Sequence, residues 1–291
     1  MIQMKVGIIG LGIMGYRIAK NLAKDDILNY VYDRTPAKSM EFKKEFENVE
    51  YFNDPTELAK SSDVVITILS DDNAVTSIIK PLIPIASNKI IIDMSTISPI
   101  TSYELAKEIN SKGYFYDAPI IGTSIAVENK SIVILVGGPY EKFETVKEIL
   151  THTSNNIVYM GGNGFGLKGK LVNNLLIGVY MAALSEAFNF GLDLGLTKEQ
   201  IGDILSKLSS ARSPTSEIKI PKIINGDYST QFSVKNIRKD LDIIINISQH
   251  YNSLVPLASL TENLYKITES LGYSSLDFSS IFEMYRKLTL K

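Results

Sequence analysis

Val6-Gly7-Ile8-Ile9-Gly10-Leu11-Gly12-Ile13-Met14-Gly15 sets a short run of branched apolar residues against three glycines, and Tyr16-Arg17-Ile18-Ala19-Lys20-Asn21-Leu22 follows with helical spacing. Glycine is needed at such a junction for three reasons: the backbone turns tightly, a pyrophosphate can approach the N–H groups, and the helix packs closely on the strand. An acidic residue, Asp33, closes the next apolar run eighteen positions past Gly15. Strand, glycine turn, helix and acidic strand end in that order read as a dinucleotide fingerprint. Gly10, Gly12, Ile13, Met14 and Gly15 are then candidates to cradle the phosphates.

Working outward, short Val- and Ile-rich runs recur up to about residue 160: Tyr30-Val31-Tyr32, Val64 to Ile68, Ile90-Ile91-Ile92, Ile132 to Val136 and Ile157-Val158-Tyr159. Continuous apolar runs suit strands covered on both faces. Between them, Pro36 to Phe46, Thr101 to Lys112 and Tyr140 to Leu150 carry helix formers at three- and four-residue intervals, and Thr35-Pro36 and Asp54-Pro55 read as N-caps before a first-turn proline. Beyond residue 163 the strand-like runs stop. The expectation is an α/β protein, a Rossmann-like doubly wound sheet domain (1–163) followed by an all-α C-terminal domain (164–291) and joined to it by a long helix from Phe165 to Leu194. Residues near the start of that helix are expected to line a cleft between the two domains.

Length and composition narrow the function. A chain of 291 residues with 45% hydrophobic content can bury two cores, and 30 basic against 32 acidic residues leave no cationic excess for a row of phosphates. A nucleic-acid partner is therefore not expected. With no cysteine and two distant histidines, His152 and His250, disulfides, thiolate chemistry and a zinc site lack ligands. The stretch from Met1 to Gly10 is too short and glycine-rich for a signal peptide, and no apolar run approaches the ~20 residues of a membrane span. A soluble, cytoplasmic protein without a membrane partner is expected. Leu175 to Leu184 is apolar nearly all round its helix, which favours a homodimer or higher homo-oligomer.

Strand-end residues bear on the cofactor. Asp33 suits the ribose hydroxyls of NAD, whereas Arg34 and Thr35 suit the 2′-phosphate of NADP. Dual use of NAD and NADP is expected. Lys170 and Asn174 are four apart on the long helical pattern and so share a face. An ammonium placed there could stabilise the charge that builds on a carbonyl oxygen during hydride transfer and deliver its proton. On spacing alone, solvated lysines at a helix start are an equally good reading.

These motifs together resemble the β-hydroxyacid dehydrogenase family of 3-hydroxyisobutyrate dehydrogenases and tartronate, glyoxylate and succinic semialdehyde reductases. The resemblance spans nearly the whole chain. It is carried by the glycine turn with Ala19-Lys20-Asn21-Leu22, by Asp93-Met94-Ser95-Thr96-Ile97-Ser98-Pro99, and above all by Gly161-Gly162-Asn163-Gly164-Phe165-Gly166 running into Lys170-Leu171-Val172-Asn173-Asn174. Lys239-Asp240-Leu241, Val255-Pro256-Leu257, Asp277-Phe278-Ser279 and Leu69-Ser70-Asp71 extend it. The resemblance implies Lys170 as general acid/base, Thr96, Gly122, Thr123 and Asn174 at the substrate, Thr96 also near the nicotinamide, Leu69 and Ser70 behind the nicotinamide ribose, and Lys239 at the cofactor. It implies an NAD(P)-dependent oxidoreductase for a small β-hydroxy acid, without a metal.

One loop departs from the family. Asp117-Ala118-Pro119-Ile120-Ile121-Gly122-Thr123 carries Ile121 where the family has a carboxylate-binding serine and Thr123 where it has glycine. Two further readings stand beside the dehydrogenase reading: an imine-reductase-like enzyme, and a catalytically silent cofactor-binding scaffold, which the altered loop makes thinkable. Lys170 argues against both.

Overall fold

A computed structural model describes residues 4–288. Met1-Ile2-Gln3, the start of the stretch read above as too short for a signal peptide, lie outside the described residues, as do 289–291. The chain divides into two compact units, Met1–Lys170 and Leu171–Lys291.

In the first unit the strands are β1 (Val6–Ile9), β2 (Leu28–Tyr32), β3 (Glu50–Tyr51), β4 (Val64–Thr67), β5 (Ile90–Asp93), β6 (Tyr114–Asp117), β7 (Ile120–Ile121), β8 (Val133–Gly137) and β9 (Asn156–Gly161). Helices α1 (Ile13–Lys24), α2 (Pro36–Glu45), α3 (Pro55–Ser61), α4 (Asp72–Ile79), α5 (Pro99–Ile109), α6 (Ser124–Glu128) and α7 (Phe143–Thr151) connect them. The sheet runs β3-β2-β1-β4-β5-β6-β8-β7, with β9 paired to β8. From β3 to β6 every pairing is parallel.

Residue alternation explains why these runs show no polar face. Ile8, Ile66 and Ile92 join one core with Ile18, Leu22 and Phe42, while their chain neighbours Ile9, Val65 and Ile91 join another with Leu58, Val75 and Phe115. Both faces are covered, so both parities must be apolar. The sheet differs from a purely parallel one at its far end, where β8 lies antiparallel to β6 and β7 before β9 returns parallel. Asp54 caps α3 by accepting from Thr56 N at 2.7 Å, but Thr35, although at the N-cap of α2, makes no side-chain cap bond.

Helix α8 (Phe165–Asp193) begins in the first unit and continues into the second, which is built on it with α9 (Lys198–Asp203), α10 (Pro214–Asn225), α11 (Val234–His250), α12 (Pro256–Thr268) and α13 (Ile281–Leu288). Met181, Phe188, Ile220, Leu241, Tyr265 and Phe282 form its core. A buried ion pair, Lys219 Nζ to Asp277 at 2.9 Å, ties α10 to the turn before α13, and Asp277 also accepts from the backbone of Gln231 and Phe232. By length and composition α8 could also cross a membrane, with a mean hydropathy of 1.5 over its most apolar 18 residues, 44% of which are buried within the protein.

Candidate active site

In the first unit the parallel strand order reverses between β1 and β4, the position at which open α/β sheets bind ligands beyond their carboxyl ends. The glycine turn stands there. Gly10 has φ +104°, and a Cβ on it would come within 2.3 Å of Ile68 O. A Cβ on Gly15 would meet Gly10 O at 2.0 Å, whereas one on Gly12 would meet nothing within 4 Å. Two glycines are thus demanded by the fold, and the third leaves open backbone. Helix α1 begins at Gly12 with no side-chain cap and no acidic residue in its first turn. Unfilled N–H groups at a helix end attract an anion, so these residues fit the pyrophosphate of a dinucleotide.

Asp33 does more than the sequence suggested. Its carboxylate accepts from Leu11 N and from Thr35 N, both at 2.8 Å, with Lys38 Nζ 3.8 Å away. It therefore fastens the glycine turn to the end of β2. Arg34 and Thr35 are exposed just beyond it.

Leu69 and Ser70 follow β4, and Thr96 follows β5. Ser95 Oγ accepts from Leu69 N at 2.8 Å and donates to Asp93 Oδ1 at 2.6 Å, and Thr67 Oγ1 donates to the same oxygen at 2.8 Å. Asp72 adds a second tie between the loops, accepting from Ser98 N at 3.1 Å and Thr101 Oγ1 at 2.6 Å. Burial pushes the Asp93 carboxyl up. The structure thus brings together the glycine turn, Asp33, Leu69, Ser70 and Thr96 along one edge of the sheet. Asp72 and Asp93 are the residues that sequence reasoning left without a role there.

The altered loop packs beside α1, where Asn21 Nδ2 donates to Val127 O at 2.7 Å and Arg17 Nε pairs with Glu128 at 2.8 Å. Gly122 has φ +141°, and a Cβ on it would crowd Ile132 at 2.8 Å. Thr123 caps α6, its Oγ1 accepting from Ala126 N at 3.3 Å. Its hydroxyl proton remains able to donate to an anion.

Lys170 closes the first unit on the second turn of α8 and is 8% exposed. In the second unit Asn174 is fully buried; its Nδ2 donates to Asp240 Oδ2 at 2.6 Å and its Oδ1 accepts from Asn173 Nδ2 at 2.9 Å. Asp240 therefore fixes which way the amide points, since reversing it would set two oxygens against each other. Lys239 Nζ lies 3.1 Å from Asp240 Oδ1, within ion-pair reach but without hydrogen-bond alignment. Asp240 was visible in Lys239-Asp240-Leu241, but its partner is 66 residues away and no local spacing announces it.

A doubly wound sheet whose glycine turn is open to an anion and whose next strand ends in an acidic residue has the geometry of a dinucleotide-binding domain. Residues 5–161 match the NAD-binding domain of 6-phosphogluconate dehydrogenase, and 164–285 match the NAD-binding domain of NADP-dependent 3-hydroxyisobutyrate dehydrogenase. The mitochondrial 3-hydroxyisobutyrate dehydrogenase of Mus musculus is 35% identical over 97% of this chain and 87% of its own. The 2-(hydroxymethyl)glutarate dehydrogenase of Eubacterium barkeri is 30% identical over 99% and 96%. Among solved structures, a 3-hydroxyisobutyrate dehydrogenase from Mycobacterium tuberculosis with L-serine shares the fold with a TM-score of 0.88 at 23% identity, covering 98% of this chain and all of that one. The chain belongs to the 3-hydroxyisobutyrate dehydrogenase family of hydroxyacid dehydrogenases.

Proposed function

We propose that this protein is an NAD(P)-dependent dehydrogenase that interconverts a small β-hydroxy acid and its semialdehyde or keto acid, with Lys170 as general acid in reduction and general base in oxidation. Its similarity over nearly full length to two hydroxyacid dehydrogenases carries this reading. The bound nicotinamide contributes the hydride. This chain's residues do the rest: the α1 end and Gly12 hold the pyrophosphate, Asp33 faces the ribose, and Thr96 and Asn174 orient the carbonyl. Lys170 Nζ gives its proton to the oxygen as the hydride reaches carbon, and takes it back in the reverse direction. Both cofactors are used, because Arg34 can pair with a 2′-phosphate while Asp33 serves a free 2′-hydroxyl.

Lys170→Ala is expected to lower turnover about a thousandfold, in the range for loss of a general acid, with dinucleotide affinity within about twofold. A panel of semialdehydes, glyoxylate and hydroxy acids with both cofactors locates the substrate. Silence across the whole panel would instead favour a scaffold.

We also propose a homodimer formed along α8. Val172 (73% exposed), Leu176 (66%) and Phe190 (62%) share a stripe of α8 with exposed Ala183 and Ala187, at spacings of three, four and seven residues that suit a second helix of the same kind, and Leu194 (64%) follows just past its end. Leu176→Glu with Phe190→Glu should halve the sedimenting mass; an unchanged mass places the contact elsewhere.

A further inference from the structure

Asp117 ends β6, is fully buried, and does not belong to the site described above. Its Oδ1 accepts from Gly164 N at 2.6 Å and its Oδ2 from Leu167 N at 3.0 Å. These are N–H groups at the start of α8, which every helix leaves without a partner of its own. The cap therefore comes from a strand 47 residues earlier. The glycines of the turn serve the same contact: a Cβ on Gly166 would lie 2.2 Å from Leu135 O and 2.9 Å from Asp117 Oδ2, and one on Gly169 would press Leu135 at 2.9 Å. Asn163 adds a neutral anchor, donating to Phe115 O at 2.7 Å and accepting from Asn110 at 2.9 Å. Lys170 comes three residues after Leu167, about 4.5 Å further along the axis.

We propose that Asp117 is a positioning residue for Lys170: it clamps the first turn of α8 to the sheet and places a carboxylate at the positive end of the helix whose second turn carries Lys170. This rests on the reading of Lys170 as general acid. A helix N-terminus disfavours a nearby cation, and an anion at that end offsets the effect. Fixing the turn sets where Nζ can reach, because Lys170 follows within one turn of the last capped residue.

Charged groups around Asp117 support a titration that can be followed. Asp93 is the neighbouring strand-end carboxyl on β5, and Lys168 and Lys170 stand on the capped helix. Glu104, Lys107 and Glu108 of α5 are exposed, and β8 and β9 bring no ionisable side chain except Tyr159. Burial pushes the Asp117 carboxyl up to about 6, against the pull of its two backbone donors. Activity in the reductive direction should therefore fall on the acid side as Asp117 takes up its proton and the cap weakens.

The test follows the pH dependence of kcat for reduction in the wild type, Asp117→Asn, Asn163→Ala and Lys170→Ala, with dinucleotide affinity and melting temperature measured alongside. Asp117→Asn should lower kcat about tenfold, leave dinucleotide affinity within twofold, and move the alkaline limb to lower pH, since loss of a negative charge near an ammonium lowers its pKa. Asn163→Ala loosens the same turn without a charge change, so it should leave that limb in place. In wild-type protein labelled with 15N-glycine, the Gly164 amide should titrate near pH 6 together with the acid limb of kcat. That measurement needs no variant to fold. A folded Asp117→Asn with wild-type kcat and an unmoved limb overturns the proposal, as does a wild-type kcat that stays flat through the Gly164 titration. Lys170→Ala separates the two readings: full turnover there defeats the general-acid assignment itself, whereas an inactive Lys170→Ala beside an unaffected Asp117→Asn defeats only the role given to Asp117.

Discussion

The junction from β1 to α1 and the junction from β9 to α8 both set glycines with positive φ between a strand and a helix, yet they treat the helix end in opposite ways. At the first, α1 has no side-chain cap and Gly12 faces open space. At the second, Asp117 fills the same kind of end with a carboxylate supplied by the fold. A glycine-rich strand-to-helix turn is thus no evidence of phosphate binding until the occupant of the helix end is known. The first junction awaits an anion, and the second already has one.

The close-packed glycines provide the largest effects. Gly15→Ala and Gly166→Ala each drive a Cβ to within 2.0 Å and 2.2 Å of a backbone carbonyl oxygen, and each should cost about 3 kcal/mol in chemical denaturation, the upper range for overpacking. Equal losses would show that the two turns share their packing role; a mild effect at Gly166 would break the likeness.

Asp117→Asn sharpens the difference through stability. A carboxyl raised from its ordinary 3.8 to about 6 holds its proton more tightly when folded, so its contribution is fully present below pH 3.8 and is lost as pH rises through about 6. About two pKa units correspond to about 3 kcal/mol, which asparagine would offset by turning its amide N–H2 towards one of the two backbone donors, at about 1–3 kcal/mol. The stability of the variant relative to wild type should therefore rise by about 3 kcal/mol from pH 4 to pH 8 in urea titrations. Loss of stability at pH 8 would mean that the cap outweighs the burial of charge.

At the first junction, Arg34→Ala should weaken NADPH about tenfold and NADH little, by loss of one charge-assisted pair. Asp33→Ala acts on both the ribose and the turn. Since its carboxylate holds Leu11 N and Thr35 N, both cofactors should weaken, NADH the more, and calorimetry with each dinucleotide checks the order.

A third junction, Ile121 to Ser124, caps itself with Thr123. Ile121→Ser should raise kcat/KM for a short carboxylate-bearing semialdehyde about threefold relative to a bulkier apolar carbonyl, because a hydroxyl can bond an anion and isoleucine cannot. Adding Thr123→Gly should cost only a few tenths of a kcal/mol in stability, as glycine is tolerated at an N-cap. An unchanged substrate ratio would remove this loop from substrate selection.

The first junction was legible because everything that defines it is local: β1, the three glycines, α1 and Asp33 fall within one short span of chain. The helical pattern after residue 163 was equally plain. What escaped was long-range. Asp117 reaches Gly164 and Leu167, Asn174 reaches Asp240, and Asp93 reaches Thr67, each across tens of residues. The antiparallel placing of β8 was hidden for another reason, since Ile132 to Val136 is apolar on both parities and a strand buried on both faces reads the same in either direction.

Giving the first turn what the second already has is the most direct test. Gly12 sits in extended backbone at φ −73° and ψ −170°, where an aspartate N-cap is at ease, and a Cβ there meets no neighbour within 4 Å. Gly12→Asp should keep or raise the melting temperature while NADH and NADPH affinity falls about a hundredfold, because a carboxylate would occupy the helix end and repel the pyrophosphate. Gly162→Ala, equally free of neighbours within 4 Å, should leave affinity within about twofold. Dinucleotide titration of a folded Gly12→Asp that returns wild-type affinity would contradict the account, for the open end of α1 would then not be where the cofactor binds.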